Sequence, residues 1–159
     1  LHFTPALLHQ LSERGIKKAE VTLHVGIDTF RPISTHKIED HEMHSEWCAV
    51  SEETVMAVHK TQQQHGRVVA VGTTAVRSLE TSAHSGVAES YSGATKLYIR
   101  PGYSFRVVDG ILTNFHMPRT TLMVLVSEFA GHEFIQRAYK EAMGNGYRFL
   151  SYGDAMLIL

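Results

Sequence analysis

The chain has 159 residues, 43% of them hydrophobic, and a formal net charge of −1 at pH 7. These values are typical of a globular protein of one domain, and they exclude an overall electrostatic attraction for nucleic acid. No apolar run approaches the ~18 residues that a membrane span requires. Cys48, as the single cysteine, excludes an internal disulfide, so we expect a cytoplasmic protein that does not enter a membrane.

Capping signals mark two helices in the first half of the chain. Thr4 can cap a helix that has Pro5 at its first position and ends at Gly15. Ser51 can cap a second helix, which ends at Gly66. Strands are predicted at 19–25, with His24 on one face, and at 45–50.

Strand and helix signals continue to alternate in the second half. Residues 67–71 are nearly all apolar, which is typical of a strand covered on both faces, and Gly72 then turns the chain into a helix. Residues 83–93 are small and polar and predict a mobile loop. Further strands are predicted at 96–99, 105–112 and from 147, with one long helix at 121–143 that Thr120 or Thr121 can cap. This alternation predicts an α/β fold with a largely parallel sheet or a barrel-like α/β domain.

The stretch 98–122 concentrates turn formers, strand formers and polar groups. Pro101 and Gly102 indicate a turn before the predicted strand, and Pro118 ends any extension after it. A strand that runs into a polar loop and then a helix is where α/β folds usually place their sites. The polar residues predicted at or near the end of this strand are Asp109, Thr113, Asn114, His116 and Arg119.

The segment H-E-M-H-S-E-W at 41–47 places two histidines beside carboxylates. His41, His44 and Glu46 could form a metal site, a general acid/base cluster, or only the polar contacts of a loop. The helical context of an H-E-x-x-H zinc motif is absent, because the segment from 45 onward is predicted to be extended.

A second candidate site follows the predicted strand at 67–71. Backbone N–H groups at Gly72, Thr73 and Thr74 could bind a phosphate or carboxylate, and Arg77 lies one turn into the helix. The same three residues also make a good neutral turn and cap, and neither a phosphate-binding loop with its lysine nor a dinucleotide fingerprint is present.

Two further polar segments have both a structural and a functional interpretation. Asn114 could hold a turn and His116 could be a satisfied loop histidine, or the two could act with Asp109 in one loop. S-Y-G-D at 151–154 is either a turn or a site at the end of a strand. Positive charges between 96 and 119 form a weak basic surface, which could contact a polyanion or simply face solvent.

Together these segments resemble the S-adenosylmethionine:tRNA ribosyltransferase-isomerase family of queuosine biosynthesis, over nearly the whole chain. The motifs that carry the resemblance are L-H-F-T at 1–4, V-T-L-H-V-G at 21–26, T-F-R-P at 29–32, H-x-M-H-S-E-W at 41–47, A-V-G-T-T-x-V-R-x-L-E at 70–80, P-G-Y-x-F at 101–105, T-N-F-H-x-P at 113–118 and Y-R-F-x-S-Y-G-D-A-M-L-I at 147–158. One departure is Asp28, where the family usually has glycine and where the turn could tighten or distort.

The resemblance implies transfer and isomerisation of the ribosyl part of S-adenosylmethionine onto 7-aminomethyl-7-deazaguanine in tRNA. The product is epoxyqueuosine, adenine and methionine are released, and no metal is required. It also implies that residues 1–159 are the C-terminal part of a catalytic α/β domain whose N-terminal part and inserted β-barrel domain are absent. We therefore expect a monomer that binds S-adenosylmethionine and tRNA, with weak or no activity for these residues alone.

The roles that the resemblance suggests fall into three groups. Proton-transfer candidates are His41, His44 and Glu46, with His24 and His116 as alternatives. Substrate-binding candidates are Gly72, Thr73, Thr74, Arg77, Asp109, Asn114, Tyr152 and Asp154. Candidates for tRNA contacts are Arg31, Arg100, Tyr103 and Arg119. Two other functions compete: a metal-dependent hydrolase built on His41, His44 and a carboxylate, and a non-catalytic RNA-binding piece.

Overall fold

The structure, a computed structural model, describes residues 2–159 except the side chains of Asp28 and Phe30. The predicted effect of Asp28 on its turn therefore lies outside the described residues. The helices are α1 (Pro5–Glu13), α2 (Glu52–Gln63), α3 (Thr73–Ser82), α4 (Thr121–Ala130) and α5 (His132–Gly144), with short 3-10 turns at Ile27–Phe30 and Ile38–Asp40. The strands are β1 (Val21–His24), β2 (Glu46–Val50), β3 (Val69–Val71), β4 (Tyr91–Thr95), β5 (Gly110–Asn114) and β6 (Ala155–Ile158).

Residues 2–159 form two three-stranded sheets, in the orders β1-β2-β4 and β3-β5-β6. The first sheet is antiparallel throughout, and β6 runs antiparallel to β5. Among these described residues β3 and β5 make the one parallel pair. The mixed α/β class is confirmed, but the expectation of a largely parallel sheet is wrong. The connection from β1 to β2 contains 3-10 turns and no α-helix, whereas the crossover of a parallel pair is usually an α-helix.

Helix α3 is the central element because both sheets contact it. Seven of its residues are buried, and among them Val76 and Leu79 join the main apolar core. Two of the buried residues, Arg77 and Glu80, are ionisable. Charged side chains are almost never fully buried unless they are paired, so this helix presents charged groups to fixed partners inside the protein.

Local signals gave the correct helix starts. The hydroxyls of Thr4, Ser51 and Thr120 each accept a hydrogen bond from a backbone N–H in the first turn of α1, α2 and α4, respectively, at 3.2 Å. These caps are confirmed because an N-cap depends on only a few neighbouring residues. The helices of residues 2–159 are all too short or too polar to span a bilayer.

Several predicted elements in the second half are displaced. Residues 96–99 are not a strand, and β4 begins inside the segment expected to be a mobile loop. The strand predicted at 105–112 forms later, as β5. The helix predicted at 121–143 is two helices, because Gly131 between them adopts a φ of +89°. The strand β3 is not covered on both faces, because Val69 and Val71 are 42% and 50% exposed.

Gly153 lies where a side chain has no room. A Cβ at this position would collide with the carbonyl group of Arg148 and approach the carbonyl oxygen of Phe149 to 2.5 Å. We expect Gly153→Ala to destabilise the protein by about 1–3 kcal/mol, because both obstacles are backbone atoms. Urea unfolding measures the change. Gly144→Ala is the matched control and should be near neutral or stabilising, since a Cβ there meets nothing within 4 Å; equal effects at both glycines would contradict the prediction.

A candidate site around a buried carboxylate

A buried carboxylate lies where the first sheet meets α3. Glu46, the first residue of β2, is 4% exposed. Its Oε1 accepts hydrogen bonds from the backbone N–H of Gly26 at 2.8 Å and from the hydroxyl of Thr29 at 2.5 Å. Its Oε2 contacts the guanidinium of Arg77 and lies 3.2 Å from Nε2 of His44. One carboxylate therefore joins the loop after β1, the motif at 41–47 and helix α3.

The donors around Glu46 keep it ionised. Burial by itself raises the pKa of Glu46, but the hydrogen bonds from Thr29 and Gly26 and the charge of Arg77 outweigh burial and lower it. Arg77 is 3% exposed, and its Nε also donates to the carbonyl oxygen of Leu97 at 3.3 Å. Its Nη2 is buried with no hydrogen-bond partner among the described residues. The site thus contains an ion pair with one spare guanidinium donor.

The other two candidate histidines of the first sheet lie on aromatic rings. His41 is half-buried and meets the ring of Tyr98 edge-on at a centroid distance of 5.6 Å. His24 is exposed and lies on Trp47 at 4.8 Å. Of the three candidate histidines in this sheet region, His44 is the one in contact with the buried carboxylate.

The carboxyl end of β5 holds a second polar group. Nδ2 of Asn114 donates to the carbonyl oxygen of Asp154 at 3.3 Å and lies 3.5 Å from that of Gly153. Nε2 of His2 also bonds the Gly153 carbonyl, at 2.8 Å. These contacts join the motifs at 1–4, 113–118 and 147–158, and they fit the interpretation of Asn114 as a residue that holds a turn.

His116 is buried beside two hydroxyl groups. Its Nε2 bonds the hydroxyl of Thr113 at 3.1 Å, and its backbone N–H donates to the Tyr139 hydroxyl at 2.8 Å. Burial lowers the pKa of His116 to about 4, because the charged imidazolium is poorly solvated there. This geometry favours the structural interpretation of His116 over the catalytic one.

The low pKa of His116 predicts a stability that depends on pH. An unfolded histidine titrates near 6.5, so the contribution is fully present above about pH 6.5 and declines as the pH falls toward about 4, where it is lost. We expect urea unfolding to show roughly 3 kcal/mol less stability from this group at pH 4 than at pH 7.5. His116→Gln should remove this slope, whereas His84→Gln, at an exposed histidine, should keep it. An unchanged slope in His116→Gln would contradict the assignment.

Two backbone hydrogen bonds bring the loops of the two polar groups together. The N–H of Ile33 donates to the carbonyl of Arg119 at 2.7 Å, which joins the loop after β1 to the loop after β5. The N–H of Gly72 donates to the carbonyl of Leu112 at 2.8 Å, which places the start of α3 beside the end of β5. Gly72 adopts a φ of +87°, which glycine accepts readily. Its N–H is therefore already used, so the predicted anion site has only Thr73, Thr74 and Arg77.

Asp109 does not share a loop with Asn114, so this prediction is wrong. Asp109 precedes β5 and Asn114 ends it, about 16 Å apart at the usual rise of a strand. The Asp109 carboxylate accepts from the backbone N–H of Val68 at 2.8 Å, which holds the chain just before β3. The displaced strand boundary explains the error.

The residues predicted to contact tRNA differ in exposure. Arg31, Arg100 and Arg119 are exposed, and Arg100 donates to the carbonyl of Glu39 at 2.9 Å. Tyr103 is half-buried, and its hydroxyl donates to the carboxylate of Glu80 at 2.9 Å. Burial, and then the charge of Glu80, raise the pKa of Tyr103, so it stays a donor. Tyr152, predicted to bind substrate, is 83% exposed.

Sequence reasoning missed three residues. Thr29 was quoted only within a motif, and no local pattern indicates that its hydroxyl reaches Glu46. Glu80 ends the A-V-G-T-T-x-V-R-x-L-E motif, and its burial could have been suspected because it follows Leu79 in a helix that begins directly after a predicted core strand. Tyr98 has a buried hydroxyl with no partner among the described residues, beside His41.

The predicted metal alternative finds an electrostatic obstacle at Glu46. The guanidinium of Arg77 already contacts Oε2, and a metal cation there would face that positive charge. Among the side chains that the structure describes, which do not include that of Asp28, no three of histidine, cysteine, aspartate or glutamate converge as metal ligands.

The comparisons with known proteins match this chain from end to end. A sequence family described as "Queuosine biosynthesis protein" matches residues 1–158. A protein of Heliobacterium modesticaldum named S-adenosylmethionine:tRNA ribosyltransferase-isomerase is 53% identical, over 100% of this chain and 47% of its own length. A protein of Thermotoga petrophila with the same name is 51% identical, over 100% of this chain and 48% of its own.

A solved structure agrees with the sequence comparisons. The crystal structure of S-adenosylmethionine tRNA ribosyltransferase from Thermotoga maritima superposes with a TM-score of 0.82 at 45% identity, over 99% of this chain and 50% of that one. The chain thus spans about half the length of the curated relatives it matches.

Proposed function

Because this chain belongs to the queuosine biosynthesis protein family, we propose that it forms part of the site of an S-adenosylmethionine-dependent tRNA ribosyltransferase-isomerase. The substrates are S-adenosylmethionine and a tRNA that carries 7-aminomethyl-7-deazaguanine. The ribosyl group is transferred to the aminomethyl nitrogen and isomerised to epoxyqueuosine, with adenine and methionine released.

One observation carries the proposal: the contact between Glu46 and Arg77. Each residue belongs to a different motif of the resemblance, at 41–47 and 70–80, and the fold brings the two motifs into one buried ion pair. A buried ion pair is weak evidence for stability, because its desolvation cost can exceed the Coulombic gain. The buried pair therefore supports a functional role for the two residues rather than a stabilising one.

We assign the proton acceptor of the reaction to His44. The carbon beside the sulfonium loses a proton to the imidazole, and its electron pair remains on the carbon as an ylide. Glu46, 3.2 Å from Nε2 of His44, then stabilises the imidazolium that forms. His116 suits this role less well, because its pKa of about 4 makes it a weak base. His24 and His41 remain alternatives without a carboxylate contact among the described residues.

The spare donor of Arg77 supports a role in substrate binding. Its Nη2 is buried without a partner in the described part of the chain, and the backbone N–H groups of Thr73 and Thr74 begin the same helix. We place the methionine carboxylate of S-adenosylmethionine against these donors. The side chains of Asn114, Asp109 and Asp154 each already bond the protein backbone. Their roles as substrate contacts stay predictions.

For tRNA, the exposed residues are the better candidates. Arg31, Arg100 and Arg119 are exposed, and their guanidinium groups suit contacts with phosphate. The ring of Tyr152 is exposed and suits stacking on a base. Tyr103 is less suited, because its hydroxyl is committed to Glu80. Three further points also stay predictions: that the protein is a monomer, that it acts in the cytoplasm, and that these residues are the C-terminal part of a catalytic domain.

Adenine release tests the proposal. The chain is incubated with S-adenosylmethionine and precursor-containing tRNA, alone and within a protein of the relatives' full length, and adenine is measured by chromatography. We expect adenine from the full-length form and little or none from residues 1–159 alone. No adenine from the full-length form, while a relative produces it in the same assay, would overturn the proposal. Turnover that requires zinc or manganese would favour the hydrolase, and tRNA binding without adenine would favour an RNA-binding piece.

A further inference from the structure

The hydroxyl of Thr29 has two partners and only one proton. Thr29 is 4% exposed, and its Oγ1 lies 2.5 Å from Oε1 of Glu46 and 3.1 Å from Nε2 of His44. An ionised carboxylate can only accept hydrogen bonds. The Thr29 proton therefore points at Glu46, and the Thr29 oxygen can only accept from the second partner.

This constraint determines which nitrogen of His44 carries the proton. Because Oγ1 of Thr29 accepts from Nε2, that nitrogen must be the donor. Oε2 of Glu46 lies 3.2 Å from Nε2 and favours the same tautomer, but this contact is an ion-pair distance and not a second hydrogen bond. Both acceptors lie on one side of the ring, so the alternative tautomer would leave a bare Nε2 facing two oxygen atoms.

We propose that Thr29 is a positioning residue that holds His44 in the tautomer with its proton on Nε2, so that Nδ1 is the proton acceptor of the site. No hydrogen-bond partner of Nδ1 is found among the described residues, whereas Nε2 bonds the Thr29 hydroxyl and lies 3.2 Å from Oε2 of Glu46. His44 is half-buried, with its side chain 12% exposed. The assignment of Nδ1 as the base rests on the proposed function, but the tautomer does not.

The proton balance is complete within this arrangement. A C–H bond of the substrate breaks, an N–H bond forms at Nδ1, and the electron pair stays on the carbon beside the sulfonium. Nε2 keeps its proton throughout, so Thr29 and Glu46 retain the same hydrogen bonds in both charge states of His44. Thr29 touches no reacting atom and acts through the imidazole.

Two-bond proton–nitrogen NMR spectra of the ring nitrogens test the proposal. His44→Gln identifies the His44 signals. We expect wild-type His44 to be protonated on Nε2, Thr29→Ser to keep this tautomer, and Thr29→Val to give a mixture of both. In the adenine assay of the full-length form, Thr29→Val should lower kcat roughly 10- to 100-fold with little change in KM, the size seen when a group that orients a metal-bound histidine is lost. Thr29→Ser should restore most of it.

Thr35→Val is the matched control, since Thr35 lies in the same loop but bonds only the backbone carbonyl of Lys37. It should change neither the tautomer nor kcat. Wild-type His44 protonated on Nδ1 would overturn the proposal, and so would a Thr29→Val protein with unchanged tautomer and kcat. If Thr29→Val does not fold, the wild-type spectrum still decides. Absence of adenine from the wild type would instead overturn the proposed function, with the tautomer decided separately.

Discussion

Glu46→Gln should lower kcat/KM for adenine release roughly 100-fold or more and destabilise the fold by about 3–5 kcal/mol. The substitution removes the negative charge beside Arg77, which is 3% exposed and cannot recover its hydration. The new amide group can adopt two orientations, and its NH2 faces hydrogen-bond donors in both. In one orientation these donors are the Thr29 hydroxyl and the Gly26 N–H, and in the other they are the Arg77 guanidinium and the His44 imidazole. The measurements are urea unfolding at pH 7 and the adenine assay in the full-length form.

Glu42→Gln is the matched control, because Glu42 lies in the same segment but is exposed. Its stability should change by less than about 0.5 kcal/mol, with activity preserved. A double-mutant cycle with Arg77→Met isolates the pair, and its coupling should reach the upper part of the ~0.5–3 kcal/mol range for contacting residues. A stable Glu46→Gln protein with normal turnover would contradict both the stability argument and the site.

What the sequence predicted well depends on neighbours along the chain. The caps at Thr4, Ser51 and Thr120 were predictable because each N-cap hydroxyl reaches only to the first turn of its own helix. Residue types alone likewise indicated 41–47 and 70–80 as candidate segments, and the roles of their residues stay predictions.

The features that the sequence did not predict depend on contacts between residues far apart along the chain. Glu46 and Arg77 are 31 residues apart, and only the packing of β2 on α3 shows that they pair. Strand direction failed for the same reason, since alternation along β2 does not say whether its neighbours run parallel or antiparallel. The turn at Gly131 was missed because the apolar periodicity continues across it, and the positive φ of one glycine leaves no mark on that pattern.

The candidate site combines both kinds of information. The residue types in the motif at 41–47 offer two histidines and a carboxylate as equals, whereas the fold separates them by their partners. His41 lies on Tyr98, while His44 contacts a carboxylate whose charge is fixed by Arg77. Sequence therefore indicates which chemistry is available, and tertiary contacts decide which residue is equipped for it.

Glu80→Gln should destabilise the protein by about 2–4 kcal/mol, because its carboxylate is a buried acceptor for a whole loop. Glu80 is 1% exposed. Its Oε2 accepts from the Tyr103 hydroxyl at 2.9 Å and the Arg106 N–H at 3.0 Å, and its Oε1 accepts from the N–H groups of Val107 and Val108 at 3.0 Å. An amide keeps one acceptor oxygen and turns its NH2 toward donors, so at least one buried N–H loses its partner.

Tyr103→Phe is the comparison variant, because it removes one donor to the Glu80 carboxylate and leaves the carboxylate itself in place. It removes one donor and leaves Glu80 with three backbone partners, so we expect a loss of about 1 kcal/mol in urea unfolding. Glu80 bonds the loop at 103–108, whereas Glu46 contacts Arg77 and His44. The two Glu→Gln variants should therefore differ in turnover. Under conditions where both variants are folded, Glu80→Gln should keep most of its turnover and Glu46→Gln should not. Equal losses of turnover would mean that α3 serves the site through its packing, and that Glu46 has no separate chemical role.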